Sequence, residues 1–303
     1  MKKLVIATRR SRLALWQAEH VRARLAGAHP GLAVELLPLS TRGDELLDVR
    51  LDQAGGKGLF IKELEQAMQE GRADVAVHSM KDLPADLPAG FALAAVLERE
   101  DPRDALVSSR FSSLREMPEK SVMGTSSLRR AAQILERYPS LEAKLLRGNV
   151  ETRLAKLDRG EYDAVILAVA GLVRLGLESR IRERLDPEDS LPAPGQGAMG
   201  VECLESRADL KKMLRFLDHA ATAACVRAER AVSRALGGSC TLPLGAYAEM
   251  DGKRLKLRAL VASADGRRVA RANSAGEDPE RLGAEVAARL RALGADDILK
   301  SLA

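Results

Sequence analysis

Apolar and polar positions follow one another along the first two thirds of the chain in a rhythm typical of strands alternating with amphipathic helices. A helical spacing of apolar residues begins after Ser11, which can cap that helix. Short apolar runs predict buried strands at residues 4–7, 32–39 and 75–77, and again at 122–123, 144–146 and 164–168. Because strands that alternate with helices build mainly parallel sheets, the pattern predicts an α/β fold.

Two stretches interrupt this rhythm and indicate connectors between domains. The first is the charged run Glu98–Asp104, and the second is the proline- and glycine-rich run Ser190–Glu202. Two crossings of the chain between lobes would act as a hinge. Strands near 244–249, 255–263 and 268–272 and a helix near 279–293 predict a small α+β domain at the end of the chain. The predicted domains are residues 1–98 with 199–215, residues 103–192, and residues 217–303.

The second connector contains a literal GxGxxG pattern at Gly195, Gly197 and Gly200. A dinucleotide-binding motif of this form must follow a strand and open a helix. Here prolines precede the glycines and a strand-like segment follows them. The pattern therefore indicates a connector and not a nucleotide site.

Composition narrows the classes of function. The formal net charge is +5, so an anionic partner is possible, but aromatic residues make up only 3%, which argues against a stacking platform for single-stranded nucleic acid. The basic residues are mostly arginines spread along the chain, which suits a folded pocket for carboxylate or phosphate groups. The longest apolar run, residues 164–173, is far shorter than the roughly 18 residues that a membrane span needs.

The three cysteines fit neither a disulfide framework nor a zinc site, since their number is odd and no CxxC spacing occurs, and we expect no metal. This usage suits a reducing cytoplasm. Cys203 and Cys225 lie in strand and helix patterns and are predicted core residues. Cys240 follows two glycines, where a sulfur could be exposed to a ligand; a turn cysteine tucked into an interface is the alternative.

Polar side chains follow the buried strand at residues 75–77, where open α/β sheets place their ligand sites. They are His78, Ser79, Lys81 and Asp82. The alternative is a polar turn in which Asp82 accepts hydrogen bonds from the backbone. A glycine-rich loop at 52–58 carries Lys57 and is either a lid over a ligand or a plain loop.

Arginines recur where predicted strands end. Arg129 and Arg130 lie in the first turn of a helix, where cations are disfavoured unless an anion binds there. Further arginines follow other strands: Arg9, Arg10 and Arg12 after the first, Arg147 and Arg153 after the strand at 144–146, and Arg174 after the strand at 164–168. This regularity favours an anion pocket over a set of solvated side chains, which stays the alternative.

Five motifs together resemble the hydroxymethylbilane synthase, or porphobilinogen deaminase, family. They are VHSMKDLP at 77–84, GTSSLRR at 124–130, LRGNVETRL at 146–154, LPAPGQGAMGVE at 191–202 and GGSCTLPLGAYAE at 237–249. The resemblance covers essentially residues 3–300 and is loose after about residue 250. It implies two lobes like those of periplasmic binding proteins, joined by a double-crossing hinge, plus a small α+β C-terminal domain. It also implies a cytoplasmic, monomeric transferase of haem biosynthesis that joins four porphobilinogen molecules, with loss of ammonia, into the linear tetrapyrrole hydroxymethylbilane.

The resemblance also assigns roles to particular residues. It implies a dipyrromethane cofactor attached through a thioether to Cys240, and a catalytic carboxylate at Asp82 that handles pyrrole nitrogens and protons. Cofactor-binding roles fall on Arg129, Arg130, Ser127, Lys81 and Ser79. Substrate-binding roles, toward acetate and propionate groups, fall on Arg9, Arg147, Arg153, Arg174 and Lys57.

Two other classes of function stay open at this stage. A periplasmic-type anion-binding protein could share the two-lobed architecture, although the N-terminal apolar run is too short for a signal peptide. A nucleic-acid-binding protein could use the basic charge, and its binding to DNA would depend steeply on salt.

Overall fold

The computed structural model describes residues 1–41, 61–238 and 242–301. The chain divides into two compact units, residues 1–99 with 198–223 and residues 100–197 with 224–303. Its main elements, in chain order, are β1 (Lys3–Arg9), α1 (Arg12–Ala28), β2 (Ala33–Leu39), α2 (Lys62–Gln69), β3 (Val75–Ser79), a short 3-10 helix (Met80–Asp82), β4 (Phe91–Val96), β5 (Asp104–Val107), β6 (Val122–Gly124), α3 (Leu128–Arg137), β7 (Glu142–Lys144), α4 (Val150–Asp158), β8 (Ala164–Ala168), α5 (Val169–Arg174), β9 (Ile181–Leu185), β10 (Met199–Leu204), α6 (Ala208–Leu214), α7 (Ala220–Ala235), β11 (Leu244–Asp251), β12 (Arg254–Ala262), β13 (Val269–Gly276), α8 (Pro279–Ala292) and α9 (Ala295–Lys300).

Side-chain caps fix where several of these helices begin. The Ser11 hydroxyl accepts a hydrogen bond from the backbone N–H of Ala14 at 3.3 Å, which confirms the predicted start of α1. Ser127 caps α3 and Asn149 caps α4 in the same way. Each cap satisfies one of the backbone donors that a helix leaves unpaired at its N-terminus.

The first unit contains a five-stranded sheet in the order β2-β1-β3-β10-β4. Strands β1, β2 and β3 are parallel, and β10 runs antiparallel between β3 and β4. Apolar side chains from α1, α6 and the sheet form a buried core that includes Leu4, Val21, Val77 and Leu210. The carboxyl ends of β1 and β3 therefore meet at one edge of the sheet, where Arg9 and Ser79 end their strands.

The second unit contains a sheet of the same design, in the order β7-β6-β8-β5-β9. Strands β6, β7 and β8 are parallel, and β5 runs antiparallel between β8 and β9. The antiparallel strand of each sheet begins within one of the two predicted connectors, β5 at Asp104 and β10 at Met199. Gly195 and Gly197 precede β10 and no helix follows them there, so the sequence interpretation of this GxGxxG pattern is confirmed.

The end of the chain forms a three-stranded antiparallel sheet, β11-β12-β13, as predicted. Helices α7, α8 and α9 supply its core, which contains Cys225, Val232, Leu257 and Leu290. With two five-stranded α/β sheets and this small α+β part, the predicted fold class is confirmed. The division into three domains stays a prediction, since residues 103–192 and most of 217–303 fall in one compact unit.

One boundary of the first connector was wrong. The run Glu98–Asp104 was interpreted as a charged connector, but Asp104 is the first residue of β5 and is fully buried. A carboxylate tolerates such a position only when cations and donors surround it, and two arginines from α3 do so here.

Candidate functional site

Residues that follow β1 and β3 line one open cavity of about 50 Å³ in the first unit. The cavity brings together Arg9, Ser79 and Asp82, three of the predicted site residues, with His78 and Gln17. Gln17, on the buried face of α1, donates a hydrogen bond from Nε2 to the Ser79 hydroxyl at 2.8 Å. The position of Ser79 is therefore fixed by a helix that the sequence analysis did not connect with this strand.

A 3-10 turn places Lys81 and Asp82 directly beyond β3, where both side chains are half-buried. Met80, the first residue of this turn, is buried. A Cβ atom on Gly200 of β10 would lie 2.4 Å from the Met80 sulfur, so the glycine is needed for this close approach. The last glycine of the GxGxxG pattern thus supports the turn that carries Asp82.

Arg129 and Arg130, in the first turn of α3, meet the buried carboxylate of Asp104. Arg129 Nη1 donates to Asp104 Oδ2 at 2.7 Å, and Arg130 Nε donates to Asp104 Oδ1 at 2.8 Å. Ser190 and Gln196 donate to the same carboxylate at 2.8 and 2.9 Å. Burial alone would raise the pKa of Asp104, but the two arginines outweigh it and hold this pKa well below its usual range.

The Asp104 network does not balance all of the positive charge in the first turn of α3. Asp104 carries one negative charge and is shared by two guanidinium groups. Arg129 Nε is buried and has no hydrogen-bond partner among the described residues. A buried donor without a partner is costly, so a bound carboxylate that reached it would be stabilised.

The other predicted arginines of this unit lie beyond β7 and β8, at the same sheet edge as α3. Arg147 and Arg174 are more than nine-tenths buried, and Arg153 is half-buried. Burial lowers the pKa of Arg147, and it lowers the pKa of Arg174 to about 10 although Glu100 opposes it. A guanidinium whose charged form is penalised by burial gains most from an anionic ligand.

A glycine shapes the turn between two of these arginines, Arg147 and Arg153. Gly148 has a φ of 111°, and a Cβ atom there would lie 2.7 Å from a Thr152 methyl carbon. Its carbonyl oxygen accepts a hydrogen bond from Arg153 Nε at 2.8 Å. Arg174 instead donates to the carbonyl oxygen of Gly197 at 2.6 Å, which ties it to the second connector.

Two predicted site residues, Lys57 and Cys240, lie outside the described residues. Cys203 and Cys225 are buried in β10 and α7, which confirms them as core residues. Within residues 1–41, 61–238 and 242–301, no cluster of three or more His, Cys, Asp or Glu side chains could hold a metal ion. Over the same residues, no helix is both long and apolar enough to span a membrane.

Known protein families match most of the chain. Residues 4–212 match the family model described as porphobilinogen deaminase, dipyromethane cofactor binding domain, and residues 223–292 match porphobilinogen deaminase, C-terminal domain. The porphobilinogen deaminase of Bordetella parapertussis is 59% identical over 100% of this chain and 97% of its own length. That of Laribacter hongkongensis is 57% identical over 100% of this chain and 99% of its own.

Solved structures resemble the chain at much lower identity. The methionine-binding protein MetQ is 13% identical with a TM-score of 0.45, over 71% of this chain and 89% of that chain. The periplasmic aliphatic sulphonate binding protein of Escherichia coli is 13% identical with a TM-score of 0.43, over 77% of this chain and 70% of that chain.

Proposed function

Since the chain belongs to the porphobilinogen deaminase family, we propose that it is a transferase that joins four porphobilinogen molecules head to tail into hydroxymethylbilane, with loss of ammonia. The observation that carries this proposal is the set of buried guanidinium groups at one sheet edge of the second unit, beside α3. Each porphobilinogen unit carries an acetate and a propionate, so a growing chain needs many cations.

The residues present fit a dipyrromethane cofactor. When bound as a thioether to Cys240, this group supplies a primer that is extended and never released. Arg129 and Arg130 hold its carboxylates through paired hydrogen bonds, and the unpartnered Nε of Arg129 is one donor for them. Ser127, Ser79 and Lys81 contribute further donors, while Arg9, Arg147, Arg153, Arg174 and Lys57 hold the carboxylates of incoming and added units.

Asp82 is the catalytic carboxylate in this proposal. It lies at the end of β3 on the wall of an open cavity, where it accepts hydrogen bonds from pyrrole N–H groups. Its negative charge stabilises the positive charge that develops as ammonia leaves, and it passes protons as each unit is joined. The 3-10 turn Met80–Asp82 sets the course of the backbone that carries this side chain.

Further parts of the proposal concern the protein as a whole. Residues 1–98 with 199–215, 103–192 and 217–303 act as three domains, and the third carries Cys240. The protein works as a cytoplasmic monomer, and nucleic acids and membranes are not among its partners.

The mass of the purified protein tests the proposed function most directly. We expect an intact mass greater than the sequence mass by two linked pyrrole units, because the thioether persists through turnover. Cys240→Ser removes both the added mass and hydroxymethylbilane synthesis. Cys203→Ser and Cys225→Ser serve as matched controls and keep both. An active wild-type preparation with the bare sequence mass contradicts the proposal.

A further inference from the structure

A second buried group of charged side chains shares His78 with the lining of the cavity that contains Asp82. His78 on β3 and Glu202 on the neighbouring strand β10 are 5% and 0% exposed, and His78 Nε2 lies 2.8 Å from Glu202 Oε2. In the antiparallel register Gly200 pairs with His78, and Glu202 pairs with Ala76. Glu202 therefore lies deeper in the sheet than His78, which extends toward the edge where β3 ends.

Glu65 on α2 is the third member of this group. It is buried, and its pKa is raised to about 7, mainly by burial and also by the negative charge of Glu202, while Lys62 acts in the opposite direction. Burial and the negative charge of Glu202 both oppose ionisation of the Glu65 carboxyl group, which therefore holds its proton to higher pH than an exposed glutamate. One oxygen of Glu65 and one of Glu202 have no hydrogen-bond partner among the described residues.

His78 connects this buried pair of carboxyl groups with the site. Its side chain bonds Glu202 on one side, and His78 also lines the cavity that Asp82 and Arg9 line. The charges that act on Glu65 are those of Glu202 from β10 and Lys62 from α2, while Asp82 and Arg9 share the cavity lining with His78. His78 therefore belongs both to this buried group and to the residues that line the cavity.

The proposed reaction requires such a proton to be held and returned. Each condensation breaks one C–N bond and one C–H bond and forms one C–C bond. The proton lost from carbon ends on the departing ammonia, so protons and charges balance without any further reactant. Asp82 can accept that proton but must lose it before the next unit is joined.

We propose that three positioning residues, His78, Glu202 and Glu65, act through Asp82. They take up the proton that is released in each condensation, and they return it to the departing ammonia. This inference rests on the proposed function. Glu202 orients the imidazole of His78, and the Glu65–Glu202 pair stores the proton away from bulk water.

Two measurements on the cofactor-loaded enzyme test the proposal. The first is the pH profile of kcat and KM for wild type, Glu65→Gln and His78→Gln. We expect kcat to fall about tenfold or more in both variants with little change in KM, and the ionisation near pH 7 to vanish from the Glu65→Gln profile. Glu70→Gln, which changes an exposed carboxylate near the end of the same helix, should leave the profile unchanged.

The second measurement needs no turnover. An infrared titration should show the carbonyl band of a protonated, buried carboxyl group disappearing near pH 7 in wild type and in Glu70→Gln. In Glu65→Gln this band should be missing. Glu65→Asp, which keeps a carboxyl group, should recover part of the band and part of kcat.

The outcomes separate the two proposals. A wild-type protein without added mass and without tetrapyrrole synthesis overturns the proposed function. An active wild type whose infrared spectrum shows no buried carboxyl titrating near pH 7 overturns the proton store, even if Glu65→Gln fails to fold. A folded Glu65→Gln variant whose pH profile coincides with wild type overturns it as well.

Discussion

The antiparallel strands β5 and β10 occupy the same place in their two sheets. Each strand carries a fully buried carboxylate, but the two carboxylates have different partners. Asp104 on β5 pairs with Ala168, the last residue of β8, and so lies at the carboxyl edge of the parallel strands. Glu202 on β10 pairs with Ala76, the second residue of β3, and lies deeper in its sheet.

This difference in depth explains the different partners. At the edge, Asp104 is within reach of the arginines in the first turn of α3, and it fixes two cations beside the proposed anion site. In the interior, Glu202 meets the imidazole of His78, and its negative charge helps to raise the pKa of the Glu65 carboxyl group to about 7. One sheet design therefore carries the proposed anion pocket in one unit and the proposed proton store in the other.

The largest expected effect comes from removing the carboxylate at the edge. Asp104→Ala leaves two buried guanidinium groups without their shared counter-charge, which should lower the free energy of unfolding by about 3–5 kcal/mol. The measurement is denaturant unfolding at neutral pH. Asp251→Ala, which breaks an exposed ion pair with Lys256, is the matched control and should change the free energy of unfolding far less, because solvent screens exposed pairs. Equal small losses would show that the Asp104 network is not a structural requirement.

The next largest effect is expected from replacing Asp82, through which His78, Glu202 and Glu65 are proposed to act. Asp82→Asn removes a negative charge from the cavity while keeping the shape of the side chain, so kcat should fall about 10²–10³-fold. Intact mass should show that the variant still carries the cofactor, which separates a defect in the reaction from a defect in assembly. Turnover close to wild type would rule out the role of Asp82.

Replacing an arginine by lysine keeps the charge and removes the forked geometry. Arg129→Lys and Arg147→Lys should each weaken the transition state by about 1.5–3 kcal/mol, seen as a lower kcat/KM. Arg254→Lys, at an exposed position on β12, is the control. Wild-type kcat/KM in both site variants would contradict the proposed carboxylate pocket.

The smallest expected effect is the contribution of Glu65 to the pH dependence of the protein's stability. The raised pKa of Glu65 means that the unfolded chain loses this proton at lower pH than the folded one, so wild-type stability falls as pH rises from about 4.5 to about 7. Glu65→Gln removes this contribution and should gain on the order of 1–3 kcal/mol relative to wild type across that range. Parallel stability curves for the two proteins would contradict a raised pKa at Glu65.

Several features of the fold were predictable from local sequence. The Ser11 cap, the strands of the β1–β3 region, the buried cysteines Cys203 and Cys225, and the antiparallel C-terminal sheet all follow from patterns within a few residues. The motifs resembling one family were sufficient to predict the membership that the comparisons show. Local patterns suffice because caps, turns and apolar periodicity act over a single element.

Other features could not be predicted in this way. Short strands such as β4, β5 and β9 were missed, and Asp104 was placed in a solvated connector because its neighbours are charged. The role of Gln17 had one local signal, since it is a polar residue on an apolar helix face. Glu202 had none, because its partner His78 is 124 positions away in the chain.

By itself, the sequence determined which segments become strands and helices, where arginines follow strand ends, and to which family the chain belongs. Only the tertiary structure decided which carboxylates are buried and which side chains neutralise them. The physical reason is that the order and register of the strands bring Asp104 to Arg129 and Glu202 to His78. A buried charge is tolerated only with such partners, so its function depends on contacts that no local pattern contains.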